Sequence, residues 1–180
     1  MKKFLIVLTV LMSCMLVGCT SKVADGVKLM EEGSYQGAVD KFQEAIDKGK
    51  NAGEAYRGQG MAYYELGDYA SAQGALESAL NNGVEETPII YNMLGICYMK
   101  QDDMESAFNN FNLGIAVADE LAGDDETDYS KTVQEMKYNI IICYEKQLDW
   151  ESAKTKMAEY MIQYPDDTDA QKEAQFLETR

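Results

Sequence analysis

Four segments of this 180-residue chain share one pattern of large and small side chains. The segments begin at Val27, Met61, Ile96 and Ile142, so successive starts lie 34, 35 and 46 residues apart. Self-similarity at a period of this length is typical of architectures that stack one supersecondary unit on the next. We therefore expect a single array of four similar units, with about 12 extra residues inserted before the fourth.

Each unit is predicted to consist of two helices joined by a tight turn. Bulky and small residues recur three and four positions apart on both sides of a short polar residue, which is the spacing of an apolar stripe on a helix. Serine and aspartate suit the start of a helix because their side-chain oxygen accepts a hydrogen bond from an unpaired N–H of the first turn. The predicted caps of the second helices are Ser34, Asp68, Asp103 and Asp149.

The second unit resembles the tetratricopeptide repeat, a 34-residue helical hairpin. The resemblance implies an all-α, right-handed superhelical array of about four helix-turn-helix repeats with a C-terminal capping helix, which acts as a protein-binding scaffold. The fourth unit departs from the family pattern because Ile141 and Leu148 stand where the family prefers glycine, but Pro165 follows in the usual place. The matching residues of the second unit are Tyr56, Gly60, Tyr63, Gly67, Asp68, Tyr69, Ala72 and Ala79.

The domain boundaries follow from these patterns. Residues 1–18 are predicted to be a signal peptide, and residues 19–180 a single repeat domain. Residues 168–180 open with a Thr168–Gln171 capping box and are predicted to form a terminal helix that covers the end of the array. The repeats are placed at residues 20–52, 53–87, 88–121 and 134–167, and the insertion at residues 122–133, a loop with an early start of the next helix.

The first 19 residues have the pattern of a secretory leader. Lys2 and Lys3 precede a short, largely apolar run from Phe4 to Val17, which is too short to cross a bilayer comfortably. The sequence Leu-Val-Gly-Cys ending at Cys19 resembles the lipobox of bacterial lipoproteins, which implies cleavage before Cys19 and lipid attachment to it. An ordinary secreted protein is the alternative. The resemblance predicts a lipid-anchored protein on the extracytoplasmic face, in the outer membrane if the cell has two membranes.

The charge and the absence of histidine exclude several functions. The net charge of the chain is −15, and loss of Lys2 and Lys3 with the leader changes it to −17. Such a chain is repelled by nucleic acid and by anionic lipid. Histidine-based acid–base catalysis, Ser-His and Cys-His nucleophile pairs and histidine metal sites are excluded because there is no histidine. We predict a non-catalytic protein with no cofactor, no metal and no nucleic-acid partner.

Two other candidate sites in the sequence are not favoured. Cys97 and Cys143 recur in the phrases ICYMKQDD and ICYEKQLD, which suggests either a redox or metal site or one packing position used twice. The packing interpretation is favoured because equivalent positions of stacked repeats lie about 10 Å apart, beyond the reach of a disulfide. In the insertion, Asp124, Glu126 and Asp128 alternate as in a calcium loop, but Tyr129 stands where such a loop needs glycine.

A second stripe on the first helices is the candidate binding site. Most of its members are apolar or tyrosine, and in arrays of this kind these positions line a concave groove, which suits a partner polypeptide. The alternatives are that the stripe is interhelical core, or is covered by the terminal helix or a second copy. A small apolar or lipid-like ligand is the second functional hypothesis. The groove residues are Val23, Val27, Met30, Arg57, Met61, Tyr64, Asn92, Ile96, Met99, Tyr138, Ile142 and Glu145.

Overall fold

A computed structural model describes residues 22–49, 51–122 and 128–180. These ranges contain nine α-helices and no strand. The predicted leader and Cys19 lie outside them, as do Asp124 and Glu126 of the calcium-like pattern. The helices are α1 (Lys22–Glu31), α2 (Tyr35–Asp47), α3 (Ala52–Leu66), α4 (Tyr69–Asn81), α5 (Pro88–Lys100), α6 (Met104–Leu121), α7 (Ser130–Lys146), α8 (Trp150–Gln163) and α9 (Thr168–Leu177).

The helices pair in chain order into four hairpins, α1–α2, α3–α4, α5–α6 and α7–α8, and α9 packs on α8. Each hairpin also contacts the next, so the core runs along the array as a series of linked clusters. The predicted all-α array of four helical hairpins with a terminal helix is confirmed.

Three of the four predicted caps are present. The carboxylates of Asp68, Asp103 and Asp149 accept hydrogen bonds from the backbone N–H three residues later, at 3.1, 3.0 and 3.1 Å. Ser34 is the N-cap residue of α2, as predicted, but its side chain makes no capping hydrogen bond, so that part of the prediction was wrong. A hydroxyl presents a single oxygen to the first turn, whereas a carboxylate presents two and adds a favourable charge at the positive end of the helix dipole.

The turn before each cap needs a left-handed residue. Gly33 and Gly67 supply it in the first two hairpins, with φ of 72° and 76°. Asp102 and Leu148 take the same place in the third and fourth, with φ of 61° and 60°. A leucine in this region costs about 1–2 kcal/mol relative to glycine. Leu148 therefore adopts the left-handed turn conformation for which the tetratricopeptide repeat normally uses glycine.

Aromatic rings packed on glycines hold neighbouring helices together. Phe42 of α2 is fully buried between Gly26 of α1 and Gly58 of α3, and a Cβ atom at either glycine would lie less than 3.0 Å from the ring. Phe111 of α6 is likewise fully buried against Gly95 of α5. The close approach of these helices requires the absence of a side chain at the glycines.

The start of the helix after the insertion agrees with expectation, and the cap of the terminal helix does not. Helix α7 begins at Ser130, so the predicted early start of the helix within residues 122–133 is confirmed. The N-cap of α9 is Asp167, whose carboxylate accepts from the N–H groups of Asp169 and Ala170, and Thr168 is the first helical residue. The Thr168–Gln171 capping box was therefore wrong, because an aspartate one position earlier outcompetes the threonine for the same N–H groups.

Candidate functional site

The open part of the predicted groove lies on α1 and α3. Val27 of α1 and Met61 of α3 are 46% and 39% exposed. Met30 and Tyr64 are half-buried beside them. Arg57, also half-buried, is ion-paired with Glu54 on its own helix. This end of the stripe is therefore an exposed, largely apolar surface whose one cation is already neutralised.

Tyr64 lies at the boundary between the open and closed parts of the stripe. The backbone of α1 packs against α3, and α5 against α7, whereas α3 and α5 stay further apart. The Tyr64 side chain reaches across this gap to the core cluster that contains Ile96. Burial, together with the nearby carboxylate of Glu135, raises the pKa of Tyr64 to about 12, so the phenol stays neutral and able to donate a hydrogen bond.

The middle of the stripe is buried. Asn92, Ile96 and Met99 of α5 are 7%, 7% and 8% exposed, because α7 packs directly across them. Ile96 and Met99 belong to the same cluster as Phe111. These three residues therefore stabilise the array and are not reached from the surface in this conformation.

The last part of the stripe is covered by α9. Tyr138 packs in the cluster formed by α7, α8 and α9, with its ring edge-on to Tyr160 at 5.6 Å between centroids. Ile142 is half-buried against the cluster around Ile96. Glu145 is half-buried and meets Glu173 of α9. The structure thus divides the predicted groove into an open end, a buried middle and a covered end.

Glu145 and Glu173 form a pair of facing carboxyl groups. Burial first, and the charge and hydrogen bond of Glu173 second, raise the pKa of Glu145 to about 7. The Oε1 atom of Glu145 is buried and has no hydrogen-bond donor facing it among residues 22–49, 51–122 and 128–180. A shared proton accounts for both observations, because a neutral carboxyl can donate to the facing carboxylate.

We expect stability to fall as the pH rises from about 4.5 to about 7. The folded state holds a proton on Glu145 that the unfolded chain releases near pH 4.5, so the stabilisation is complete below that pH and is lost through pH 7. Glu145→Gln should remove this pH dependence and raise the free energy of unfolding at pH 8 by about 1 kcal/mol. This is less than the full pKa difference implies, because water screens the charge of a half-buried side chain. Urea denaturation at pH 5, 6, 7 and 8 measures it.

The exposed Glu65→Gln on α3 is the matched control, and its pH profile should follow that of the unmodified chain. If Glu145→Gln and the unmodified chain lose stability in parallel between pH 5 and pH 8, the shared-proton interpretation is incorrect.

Sequence reasoning missed two acidic residues that complete the surface. The side-chain amide of Asn92 donates to the carboxylate of Glu135 on α7 at 3.0 Å, across 43 residues of sequence. Glu135 also lies close to Tyr64, and Glu173 reaches Glu145 from the terminal helix. The repeat pattern does not identify Glu135 or Glu173 as partners. Glu135 follows the insertion and Glu173 lies in the terminal helix, and both segments interrupt the repeat.

The two cysteines are packing residues, as predicted. Cys97 and Cys143 are buried and unpaired, and burial raises the pKa of their thiols to about 12 and about 11. A thiol with so high a pKa is a poor nucleophile and a poor metal ligand. Within the described ranges no group of three or more acidic or cysteine side chains is arranged to hold a metal ion. None of the helices in those ranges is long and apolar enough to cross a membrane.

These features define an all-α protein built from repeated helical hairpins. A family model of the tetratricopeptide repeat matches residues 26–72 and 57–120, and a second model of the same description matches residues 136–167. The first model alone covers more than half of the chain. The chain therefore belongs to the tetratricopeptide repeat family, and this part of the sequence-based prediction is confirmed.

Solved structures have the same fold. YrrB, a repeat protein described as having an unusual peptide-binding site, matches with a TM-score of 0.70 and 19% identity over 87% of this chain and 74% of its own. MamA from Desulfovibrio magneticus RS-1 matches with a TM-score of 0.69 and 18% identity, over 86% of this chain and 80% of its own. A repeat protein from Parabacteroides merdae matches with a TM-score of 0.63 and 14% identity, over 87% and 56%.

A search of curated protein sequences found no match. At the identities of the solved structures the likeness establishes the fold alone. Proteins of this family are generally non-catalytic, and the fold supports a role in protein–protein interaction or as a scaffold.

Proposed function

We propose that this protein is a lipid-anchored extracytoplasmic scaffold that holds a partner polypeptide against the open end of the groove on α1 and α3. The observation that carries the proposal is the exposure of Val27 and Met61 on adjacent first helices, 46% and 39%, in a protein of strongly acidic composition. Neighbouring exposed apolar side chains on a repeat array suit a binding surface.

The chemistry of this surface favours a polypeptide with apolar side chains. Met30 and Met61 are flexible and polarisable, so they adapt to the shape of an incoming helix or extended segment. The phenol of Tyr64 is a hydrogen-bond donor at the inner edge of the same surface. The peptide-binding site named for YrrB supports the choice of a polypeptide, because that protein has the same fold.

The proposed membrane attachment is supported by the sequence of the leader. A basic start, a short apolar run and Leu-Val-Gly-Cys end at Cys19, three residues before α1 begins in the described part of the chain. An anchor at this position would place α1 and the open end of the groove beside the membrane. The partner is then a protein of the same envelope, within reach of a short tether.

The test is a double substitution, Val27→Asp with Met61→Asp. Two charges on an apolar contact surface should lower recovery of the partner at least tenfold, because each unpaired charge buried on binding costs more than about 1.4 kcal/mol. The proteins are compared by crosslinking in the native envelope, affinity purification and quantitative mass spectrometry. Ile96 is unsuitable as a target because it is 7% exposed and aspartate there would unfold the array.

The matched control is Ile162→Asp with Leu113→Asp, at apolar residues that are 82% and 51% exposed outside the predicted groove. Both double variants should keep the helical content and melting temperature of the unmodified protein. Equal recovery of the same partner with the groove variant and the control would refute the proposed site.

A further inference from the structure

A pocket of about 240 Å³ lies between α6, α7 and α8. Its apolar walls are Phe108 and Ile115 of α6, Ile140 of α7 and Tyr160 of α8. Ile140 and Tyr160 are 5% and 3% exposed, so they also belong to the core and hold the pocket in shape. The pocket is therefore a preformed concavity.

The pocket is separate from the predicted groove. Ile140, which lines it, is turned by about 140–160° around α7 from Tyr138, Ile142 and Glu145, and Lys137 by about 80–140°, at 100° per residue. The pocket wall Tyr160 packs on Tyr138 at the covered end of the groove. Val27 and Met61 at the open end are not among the lining residues, so substitutions there leave the pocket lining in place.

Two lysines border the pocket on an otherwise acidic protein. Lys156 is already neutralised by an ion pair with Glu159 at 2.8 Å. The ammonium of Lys137 instead donates to the neutral amide oxygen of Gln163 at 2.7 Å and lies 5.9 Å from the centre of the Tyr164 ring. Across residues 22–49, 51–122 and 128–180, no carboxylate forms a salt bridge with Lys137. One positive charge at the rim is thus uncompensated.

We propose that this pocket binds a small amphiphile with a single carboxylate, whose apolar body lies on Phe108, Ile115, Ile140 and Tyr160 and whose carboxylate meets Lys137. The volume of about 240 Å³ suits a medium-length chain, at roughly 30 Å³ for each water-sized group. The carboxylate replaces Gln163 as the acceptor for Lys137 and forms a stronger, charge-assisted bond.

Sodium octanoate, below its micelle concentration, is the probe, and the full chain is the protein. Titration is followed by calorimetry and by amide chemical shifts. We expect saturable binding with shifts centred on Ile115, Lys137 and Ile140. The neutral analogue 1-octanol should bind about tenfold more weakly, because it lacks the charge-assisted bond to Lys137.

Lys137→Gln should weaken octanoate binding about tenfold and leave 1-octanol binding unchanged. Lys154→Gln, on α8 but outside the pocket lining, is the matched control and should change octanoate binding less than twofold. The proposal is overturned by absence of saturation, by equal affinity for octanoate and 1-octanol, by an unaffected Lys137→Gln variant, or by shifts confined to α1 and α3. Partner recovery through Val27 and Met61 is measured separately, so failure of either proposal leaves the other intact.

Discussion

Phe111→Ala is expected to lower the free energy of unfolding by about 3–5 kcal/mol. Phe111 is fully buried in the cluster that also contains Ile96, Met99, Met136 and Ile140. Its loss removes the apolar contacts of the ring and leaves a cavity, because the helices on either side cannot close on Gly95 without breaking their other contacts. Urea denaturation followed by circular dichroism measures the change.

This loss is large compared with a total stability of about 5–15 kcal/mol for a domain. Phe111 also lies where neighbouring repeat units meet, since its cluster joins α5 and α6 of one hairpin to α7 of the next. In a linear array, stability is the sum of unit and interface contributions, so weakening one interface separates the halves of the array. We therefore expect the single unfolding transition to broaden or divide in the Phe111→Ala variant.

The control is Phe176→Ala, the same substitution at a ring that is 38% exposed on α9 and packs edge-on to Trp150 at 6.4 Å. Its cost should be about 1 kcal/mol, the contribution of one partly exposed aromatic pair. Equal losses in the two variants would mean that Phe111 is not the centre of the interface described here.

Features of the array that depend on neighbouring residues in sequence were predictable. Asp68, Asp103 and Asp149 cap helices because each carboxylate meets an N–H only three residues away, which needs no knowledge of the rest of the fold. The burial of Cys97 and Cys143 was also predictable, because the repeat places both in one packing position. Periodicity and local capping thus specify the hairpins.

The candidate site was less predictable because it depends on the spacing between hairpins. Ile96 occupies the same repeat position as Met61, yet Ile96 is 7% exposed and Met61 is 39% exposed. The difference arises because α5 and α7 pack directly while α3 and α5 stay further apart. Residues far from Ile96 contribute to these distances between helices. Similarly, the contact of Glu145 with Glu173 depends on how the terminal helix packs on the array.

Cys19→Ser is expected to abolish attachment of lipid to the chain. Anchoring by acyl chains is worth about 0.8 kcal/mol per buried CH₂, and stable attachment needs more than one chain or a second signal. Anionic lipid repels the rest of the chain, because its charge without residues 1–18 is −17. The cysteine sulfur is the only atom of the Leu-Val-Gly-Cys sequence at which a thioether can form, and a hydroxyl does not replace it.

Incorporation of labelled fatty acid and the mass of the N-terminal peptide are the decisive measurements. Fractionation alone is insufficient, because an uncut leader keeps its apolar run from Phe4 to Val17 and with it an affinity for the bilayer. The unmodified protein should begin at a lipid-modified Cys19, and Cys19→Ser should reduce the label to background. Cys14→Ser, within the same leader, is the matched control and should retain the label. Unlabelled protein cut at another residue would instead indicate an ordinary secreted protein.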